Sequence, residues 1–349
     1  MSQSSSMRNT HPLHYFFNSC SRNISLGYRS ICLLIICMTT ACSTHFDLQG
    51  HRGARGLLPE NTMPAYEQAL RIGVTTLELD VGVSSDGVVV ISHDRALNPE
   101  ITRDAAGQWL PAPVLVNSLT FKQLQSYDVG RINPASEYAK RFATQVPRDG
   151  TRMPGLAELF ERMKAIQADT VQFNIETKIS PEKPGETVSP EVFVDKLLAV
   201  VQAHGMERRV TIQSFDWRTV ALVQQRAPGI RTAYLTAQQP WTDNIKPKSA
   251  DSARWTGAVR AEDHSDVPSM VKAAGGGIWS PYFADITPAL VQKAQSLGLK
   301  VVPWTVNTAK DIQAVIDLKV DGLISDYPDR ARALLLKAGR SLPAPVQLP

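Results

Sequence analysis

From residue 46 onward the chain alternates short apolar segments typical of β-strands with segments whose apolar residues recur at helical spacing. The strand-like segments are residues 46–50, 75–81, 171–179, 209–215, 231–235, 277–280, 300–305 and 322–325. Each is followed by a helix-like segment, and eight such units predict a (β/α)8 TIM barrel of the α/β class. An open doubly wound sheet alternates in the same way, but the chain has no Gly-x-Gly-x-x-Gly turn.

One long segment interrupts the alternation. A further short strand is predicted at residues 88–92, and residues from about 96 to 152 then contain five prolines and one helix-like pattern. A compact domain rarely keeps so long a loop without a function or a fold of its own, so we interpret it as a small insertion after the second strand. The barrel domain is predicted to span residues 46–337, and residues 338–349 form a C-terminal tail.

The first 41 residues differ in composition from the rest of the chain. They contain Arg8, Arg22 and Arg29 and no acid, so removing these three positive charges takes the formal net charge from +4 to about +1. An apolar run at residues 31–38 is too short to span a bilayer and precedes small residues, which is typical of a secretory signal peptide. We therefore expect residues 1–41 to be a signal peptide and the protein to be exported to the periplasm.

All four cysteines of the chain lie at or before Cys42, so the body of the protein has no internal disulfide. Thr39-Thr40-Ala41-Cys42 resembles a bacterial lipobox, which would make Cys42 a lipid-modified N-terminus anchored to a membrane. Thr39 departs from this pattern, where leucine is preferred, and cleavage after Ala41 without a lipid would give a soluble periplasmic protein. Both forms stay open at this point.

The charge pattern excludes one class of partner. The chain has no dense run of lysine and arginine, so we expect no nucleic-acid partner and a small molecule as the ligand. Nothing in the sequence fixes an oligomeric state.

The loop at residues 51–62 joins the first strand to the first helix, where α/β barrels place their ligands. Gly53 allows the backbone to come close to a bound group. Arg52 and Arg55 are suited to hold an anion through charge-assisted hydrogen bonds. Thr62 is a predicted N-cap of the helix that follows. The alternative interpretation is a plain surface turn rich in arginine and glycine.

Acidic residues alternate with apolar residues on the second predicted strand. Glu78 and Asp80 share one face of it, and about 6.5 Å between Cα atoms two positions apart lets both carboxylates reach one ion. Glu176 and Lys178 share a face of the third strand in the same way. Helices cover the outside of a parallel barrel, so these faces are expected in its interior or at its mouth. The alternatives are acids that point to water and a buried Glu176–Lys178 salt bridge.

Two histidines are placed for proton transfer. His93 follows the short strand at residues 88–92, and together with His51 it offers two groups that exchange protons near neutral pH. A structural histidine at the end of a strand is the alternative.

Several short motifs follow one another in a fixed order along the chain. They are His51-Arg52-Gly53, Pro59-Glu60-Asn61-Thr62, Glu78-Leu79-Asp80-Val81, His93-Asp94, Glu176-Thr177-Lys178, Gln213-Ser214-Phe215, Trp304-Thr305-Val306-Asn307 and residues 321–328. In this order they resemble the glycerophosphodiester phosphodiesterase family over about residues 46–337. Each motif is weak alone, and the ordered set is specific.

The resemblance implies a TIM barrel related to phosphatidylinositol phospholipases with one divalent cation, Ca²⁺ or Mg²⁺, at its C-terminal mouth. Carried over by position, Glu78, Asp80 and Glu176 would bind this metal. Glu60 would either bind the same ion or orient Arg52.

The resemblance also implies the remaining roles in the site. His51 and His93 would form the general acid/base pair, and Arg52 and Lys178 would contact the phosphate. The insertion at residues 96–152 falls where the family carries a small extra subdomain.

Aromatic residues near the strand ends are candidates by position to line a wall for glycerol or a lipid tail, with Trp304 the first candidate, although aromatics there more often serve packing. These residues are Phe215, Trp279, Tyr282, Phe283 and Trp304.

The implied function is metal-dependent hydrolysis of glycerophosphodiesters, which are deacylated phospholipids, to an alcohol and sn-glycerol 3-phosphate. By analogy the attacking group is the 2-hydroxyl of the substrate's own glycerol, which gives a cyclic phosphate that water then opens. Alternatives in the same superfamily are a lysophospholipase D and a lyase that stops at the cyclic product. A non-catalytic exported protein that binds phosphoglycerol compounds is a further alternative, but a pure binder needs no acid/base pair.

Overall fold

The structure is a computed structural model that describes residues 46–245 and 252–348. The predicted signal peptide and the predicted acylation site at Cys42 lie outside the described residues. Within the described ranges, no helix combines the length and the apolar composition that a membrane span requires.

Eight strands alternate with eight helices along the described chain. The strands are Asp47–Gly50 (β1), Thr76–Val83 (β2), Gln172–Thr177 (β3), Val210–Ser214 (β4), Arg231–Thr236 (β5), Ile278–Pro281 (β6), Lys300–Val301 (β7) and Gly322–Ser325 (β8). The helices that follow them are Met63–Ile72 (α1), Leu156–Ala165 (α2), Pro190–Ala203 (α3), Trp217–Arg226 (α4), Val267–Ala273 (α5), Pro288–Ser296 (α6), Ala309–Asp317 (α7) and Pro328–Lys337 (α8).

The strands form one parallel sheet that curves into a barrel. Neighbours pair in the order β7-β6-β5-β4-β3-β2-β1-β8. The two ends of this order are joined by backbone hydrogen bonds, since the Asp321 amide donates to the Val301 carbonyl and the Ile324 amide to the Pro303 carbonyl, each at 2.9 Å. The predicted (β/α)8 TIM barrel is therefore confirmed.

The regular part of β7 covers only Lys300–Val301 of the predicted strand at residues 300–305. Backbone hydrogen bonds to β6 nevertheless continue, since the Val302 amide donates to the Trp279 carbonyl and the Trp304 amide to the Pro281 carbonyl, each at 3.0 Å. Pro303 has no amide hydrogen and cannot donate to a neighbouring strand. The Pro303 carbonyl still accepts from Ile324, and donation toward β8 is regained where the Val306 amide donates to the Ile324 carbonyl at 2.9 Å.

The start of α1 follows the rules that its sequence indicates. Thr62 is the N-cap and accepts a hydrogen bond from the Ala65 amide at 3.4 Å, and a proline lies in the first turn, where its missing donor costs little. Tyr66 and Leu70 are buried on the face that packs against the barrel. The capped first turn of α1 thus fixes the position of Thr62, the last residue of the loop at residues 51–62.

Strand β2 shows how the barrel separates apolar from acidic side chains. All eight of its residues are buried. Leu77, Leu79 and Val81 belong to the main apolar core, where helices cover the sheet. Side chains alternate along a strand, so Glu78 and Asp80 point to the opposite face, which is the interior of the barrel.

The segment between β2 and α2 has a small fold of its own. A strand at Val89–Ile91 pairs antiparallel with β2, and Ala96–Leu97 pairs antiparallel with Val114–Leu115. Two short helices follow at Phe121–Leu124 and Glu137–Arg141. A separate apolar cluster holds the segment together, with Val90, Leu97, Val116, Leu124 and Met153 as its buried members.

Short elements of the insertion and of the stretch after β5 were not predicted. The helix pattern in the insertion corresponds to Phe121–Leu124, whereas the helix Glu137–Arg141 is too short for a periodic signal. The polar stretch after β5 contains a ribbon of Gln238–Gln239 and Thr242–Asp243 and a helix at Ser252–Thr256.

Candidate active site

The loop between β1 and α1 is held in a backbone conformation that few residues adopt. Arg52 and Asn61 have φ angles of 49° and 56°, in the left-handed region. The Arg52 amide donates to Oε2 of Glu78 at 2.8 Å, and its carbonyl accepts from the Asn61 amide at 3.0 Å. A Cβ at Gly53 would lie 2.8 Å from the backbone of Ala65 in α1, so this position requires glycine. Such strain is typical of functional sites.

Glu78, Asp80 and Glu176 form a triad at the mouth of the barrel. Each offers one carboxylate oxygen, and these three atoms lie within 4.8 Å of one another. Asp80 and Glu176 are register partners on β2 and β3, which explains why both carboxylates reach the same point. All three side chains are buried.

Burial and mutual repulsion set the ionisation of the triad. Burial raises the pKa of Glu176 to about 7, and burial together with the charge of Asp80 raises the pKa of Glu78. Burial opposes the ionisation of Asp80 as well, but the charge that His93 carries when its ring is protonated and the charge of Lys178 hold the Asp80 pKa well below the ordinary value. The triad therefore combines one firmly ionised carboxylate with two that need a further positive charge to ionise fully.

The donor set of the triad fits a divalent cation. Oδ1 of Asp80 is buried and has no hydrogen-bond partner among the described residues. A buried acceptor left in this way is costly unless something binds it. Three carboxylate oxygens in one place are the ligands that Ca²⁺ and Mg²⁺ prefer. The cation would also relieve the repulsion within the triad.

Two basic side chains border the triad. Nη1 of Arg52 lies 2.5 Å from Oε1 of Glu60, and its Nε lies 3.4 Å from Oδ2 of Asp80. Nζ of Lys178 lies 2.8 Å from Oε1 of Glu176 and 3.6 Å from Oδ1 of Asp80. The salt bridge between Glu176 and Lys178 that the sequence left as an alternative is thus present, beside the triad rather than in place of it.

His51 is oriented by a carboxylate at the end of β8. Its Nδ1 lies 2.6 Å from Oδ1 of Asp326. Asp326 has a strongly lowered pKa: burial opposes this, but the charges of Arg55 and His51 outweigh it. An ionised carboxylate only accepts, so we assign the proton to Nδ1 and a free lone pair to Nε2. This Nε2 lies 3.9 Å from Oε2 of Glu78, and burial with the charge of Arg55 lowers the His51 pKa to about 4.

His93 lies at the mouth of the barrel, just before the insertion. Its Nδ1 lies 2.7 Å from Oδ1 of Asp94, and its side chain keeps 30% of its surface exposed. Desolvation and the charges of Arg52 and Lys178 lower its pKa. The lowered pKa values favour the neutral form of both rings, and each ring carries a carboxylate behind Nδ1, an arrangement suited to proton transfer at Nε2.

Beneath the triad, amide side chains close the barrel interior. Nε2 of Gln213 donates to Oε1 of Glu78 at 2.9 Å. Nδ2 of Asn174 donates to Gln213 at 2.9 Å and to Gln49 at 2.8 Å. This layer fixes the rotamer of Glu78 from below and leaves the opposite side of the triad toward the mouth.

Comparison with known proteins identifies the family. The model of the glycerophosphoryl diester phosphodiesterase family matches residues 51–330. The chain belongs to this family. A glycerophosphodiester phosphodiesterase of Caldanaerobacter subterraneus subsp. tengcongensis is 28% identical over 289 residues, covering 83% of this chain and 97% of the relative. One of Bacillus altitudinis is 29% identical over 282 residues, covering 80% and 94%.

Solved structures agree with this placement. A Silicibacter pomeroyi chain assigned to the glycerophosphoryl diester phosphodiesterases has a TM-score of 0.76 and 34% identity, covering 85% of this chain and 95% of that one. An Oleispira antarctica phosphodiesterase in complex with its product sn-glycerol-3-phosphate has a TM-score of 0.60 and 20% identity, covering 83% and 97%, and shows the shared fold. As a member of the family, the chain is a glycerophosphodiester phosphodiesterase enzyme of the phosphoric diester hydrolase class.

The structure of this family member shows contacts that the sequence did not predict. Asp326 orients His51, and its position at the end of the last strand was a usable signal. Arg55 does not face an open anion site, because its Nε and Nη2 bind Asp326 at 2.7 and 3.0 Å. Tyr138 of the insertion donates to Oε2 of Glu60, and no pattern in the sequence indicated that contact.

Four aromatic side chains form what we call the aromatic wall on the β4–β7 side of the glycerophosphodiesterase mouth: Phe215, Trp241, Tyr282 and Trp304. The ring of Trp304 lies 5.3 Å from Phe215, 5.4 Å from Tyr282 and 6.1 Å from Trp241, all edge to face. Trp241 is 58% exposed and was missed because it lies in a stretch that reads as a polar loop. Trp279 is instead buried in the core, where its indole donates to Thr236 at 2.9 Å.

Proposed function

We propose that this enzyme hydrolyses glycerophosphodiesters to an alcohol and sn-glycerol 3-phosphate, with one divalent cation and with His51 and His93 as the acid/base pair. The observation that carries the proposal is the convergence of three carboxylates and two carboxylate-backed histidines on one barrel mouth. The bound sn-glycerol-3-phosphate in the Oleispira antarctica phosphodiesterase supports this choice of product.

Glu78, Asp80 and Glu176 are the side chains that would hold the cation. When bound, the cation would offset the charge of the phosphodiester and of its transition state. Both oxygens of Glu60 accept hydrogen bonds, from Arg52 and from Tyr138. We therefore assign to Glu60 the orientation of Arg52 and not the binding of metal.

The histidines move the protons of the reaction. One, in its neutral form, accepts the proton of the attacking hydroxyl at Nε2. The other enters the step as an imidazolium, having taken up a proton from solvent, and donates its Nε2 proton to the departing alkoxide. For an attack by the substrate's own glycerol 2-hydroxyl, the same pair would exchange roles when water opens the cyclic phosphate. The carboxylates of Asp326 and Asp94 stabilise the imidazolium that forms on each ring.

Arg52 and Lys178 are the candidates for contact with the phosphate. The two cations border the triad from the β1 and β3 sides. Nε of Arg52 is buried and makes no hydrogen bond among the described residues. A phosphate oxygen would satisfy this donor and would gain charge-assisted hydrogen bonds that strengthen as negative charge develops.

A lysophospholipase D activity is the second candidate, and the aromatic wall favours it. The wall follows β4 to β7 and so borders the mouth on the half away from the histidines. A largely exposed Trp241 at its tip offers apolar surface beyond what a glycerol needs. A human relative described as lysophospholipase D GDPD1 is 24% identical over 82% of this chain. Such a substrate would place its single acyl chain along the wall.

Turnover of defined substrates tests the proposal. The purified protein, stripped with chelator and reloaded with Ca²⁺ or Mg²⁺, is assayed on glycerophosphocholine, glycerophosphoethanolamine, glycerophosphoglycerol and lysophosphatidylcholine. Phosphorus NMR of the products separates sn-glycerol 3-phosphate from a cyclic phosphate. We expect metal-dependent release of sn-glycerol 3-phosphate. Accumulation of the cyclic product would identify a lyase, and metal-dependent binding without turnover would identify a binding protein.

Variants of the histidines complete this test. His51→Ala and His93→Ala are each expected to lose at least about 100-fold in kcat, since general acid/base groups contribute 10²–10⁴. His264→Ala is the matched control, because that half-buried histidine lies in the polar stretch before α5. Near-full turnover by either active-site variant would contradict the assignment of the pair.

We also propose that the protein is exported to the periplasm, with Cys42 as a lipid-modified membrane anchor. The support is the charge asymmetry, the apolar run and the cleavage region of residues 1–42. Labelling with a radioactive fatty acid and membrane fractionation test it, with Cys42→Ala compared with Cys37→Ala. Unlabelled protein in the soluble periplasmic fraction would indicate cleavage after Ala41 instead, and a cytoplasmic location would contradict the export.

A further inference from the structure

The insertion reaches back to the active-site loop through one short segment, residues 137–146, which we call the insertion clamp. Oγ1 of Thr144 donates to the Gly56 carbonyl at 3.0 Å, and Nε2 of Gln145 donates to the Arg55 carbonyl at 2.7 Å. The Val146 amide donates to the Leu57 carbonyl at 2.9 Å. Three successive carbonyls of the loop are thus bonded to three successive residues of the clamp.

Tyr138 is the clamp residue whose side chain bonds to charged side chains of the active-site loop. Its hydroxyl donates to Oε2 of Glu60 and accepts from Nη1 of Arg55 at 3.1 Å. Its ring packs edge to face on Phe142 at 4.9 Å, and the guanidinium of Arg55 lies 4.6 Å over the Phe142 ring. Both functions of the hydroxyl are therefore used, and stacked neighbours hold the ring in place.

Two chains of hydrogen bonds meet at this hydroxyl. The first runs through Glu60, whose Oε1 accepts from Arg52 at 2.5 Å. The second runs through Arg55, which donates hydrogen bonds to both oxygens of Asp326, and Asp326 is the carboxylate that orients His51. A single phenolic oxygen therefore connects the candidate phosphate-binding side chain with a candidate acid/base side chain.

The charges around Glu60 explain why a neutral donor is placed there. Burial disfavours the ionised form of Glu60, but Arg52 and Arg55 outweigh it and lower its pKa. Arg52 reaches only Oε1, so Oε2 would be a buried, ionised and unpaired acceptor without the tyrosine. The hydroxyl satisfies it without bringing a third positive charge into the loop.

We propose that Tyr138 is a positioning residue for the reaction, through which the insertion holds Glu60 and Arg55 and, by way of them, Arg52 and His51. The inference rests on the proposed function and assigns to the insertion a share of the active site. Tyr138 itself contacts neither the triad nor the histidines and acts through its two partners.

The test compares Tyr138→Phe with wild type, with Tyr127→Phe as control. Phenylalanine keeps the packing on Phe142 and removes only the hydroxyl. Tyr127, the other tyrosine of the insertion, packs against the insertion's own apolar cluster. For Tyr138→Phe on glycerophosphocholine we expect kcat to fall by about 10- to 100-fold, the usual loss when a supporting hydrogen bond is removed from a site. Affinity for sn-glycerol 3-phosphate, measured by calorimetry, should fall as well. The melting temperature should fall by only a few degrees, since one buried acceptor loses its partner and the packing is kept.

A double-mutant cycle separates positioning from a general structural role. If Tyr138 acts through Glu60, the loss for Tyr138→Phe in a Glu60→Gln background should be much smaller than in wild type. Equal losses in both backgrounds, or unchanged kcat and product affinity in Tyr138→Phe, would overturn the inference. A wild-type enzyme that turns over no glycerophosphodiester would instead contradict the proposed function, so the two failures are distinguishable.

Discussion

Nδ1 of His51 lies 2.6 Å from Oδ1 of Asp326, although 275 positions separate the two residues along the chain. Barrel closure explains the contact, because Gly50 and Ser325 are register partners on β1 and β8 and the next residue of each strand enters the mouth. Nδ2 of Asn307 donates to the second oxygen of Asp326 at 2.7 Å. The carboxylate is thus fixed from several sides and fixes the imidazole in turn.

Asp326→Asn is expected to lower kcat by about 10²- to 10⁴-fold with little change in KM. An amide in this position no longer selects the tautomer with a free Nε2 and no longer stabilises the imidazolium. Steady-state kinetics on glycerophosphocholine measure the effect. Asp329→Asn, an exposed carboxylate in the first turn of α8, is the control and should match wild type. A kcat within twofold of wild type for Asp326→Asn would contradict the role of this contact.

The same carboxylate makes stability depend on pH in the acid range. The folded-state pKa of Asp326 lies far below the ordinary value, so its contribution is fully present above about pH 4, the unfolded value. As the pH falls below 4, the Asp326 carboxylate becomes protonated in the unfolded state but stays ionised in the folded state. The contribution should then decrease by about 1.4 kcal/mol per pH unit.

Urea unfolding at pH 6 and at pH 3 measures this effect. Wild type should be more stable than Asp326→Asn by about 3–5 kcal/mol at pH 6, since the variant leaves the buried Arg55 without its ionised partner. At pH 3 the difference in unfolding free energy between wild type and Asp326→Asn should be smaller by about 1 kcal/mol. A stability difference that stays constant or grows toward acid pH would contradict the lowered pKa of Asp326.

Loss of one triad carboxylate should abolish the response to metal. A cation that binds only the folded enzyme raises its melting temperature once the free cation concentration exceeds the Kd, and the rise grows with the logarithm of that concentration. We expect Ca²⁺ or Mg²⁺ to raise the melting temperature of the wild type and to leave that of Asp80→Asn almost unchanged. Glu161→Gln, an exposed carboxylate of α2, should respond like wild type. An undiminished shift in Asp80→Asn would place the metal elsewhere.

The fold and the triad were accessible from sequence because both depend on regular spacing. A two-residue period assigns Glu78 and Asp80 to one face. The resemblance to the family added Glu176 as the third ligand, and the structure supplies the register that pairs it with Asp80. The short regular part of β7 could not be predicted, since the segment at residues 300–305 has the composition of a strand and is hydrogen-bonded to β6 as far as Trp304. Only the structure shows that Pro303 leaves the strand without an amide donor toward β8.

Contacts that loop residues and short helices make with the active site could not be predicted in the same way. Tyr138 meets Glu60 across 78 positions, on a helix of five residues that carries no periodic signal. Arg55 looked like an anion ligand because its partner Asp326 comes from the far end of the chain. Local patterns do not encode which side chain a charged group meets when both lie in loops.

The aromatic wall predicts a substrate-dependent effect of Trp241→Ala. An acyl chain packed on this exposed indole would gain about 1.5 kcal/mol or more from buried apolar surface, so KM for lysophosphatidylcholine should rise by about tenfold. Glycerophosphocholine has no such chain, and its KM should change by less than twofold. Trp109→Ala in the insertion, whose ring lies 5.6 Å from the Arg103 guanidinium, is the matched tryptophan control. Equal changes for both substrates would exclude the wall as an acyl-chain site, because loss of general packing does not discriminate between them.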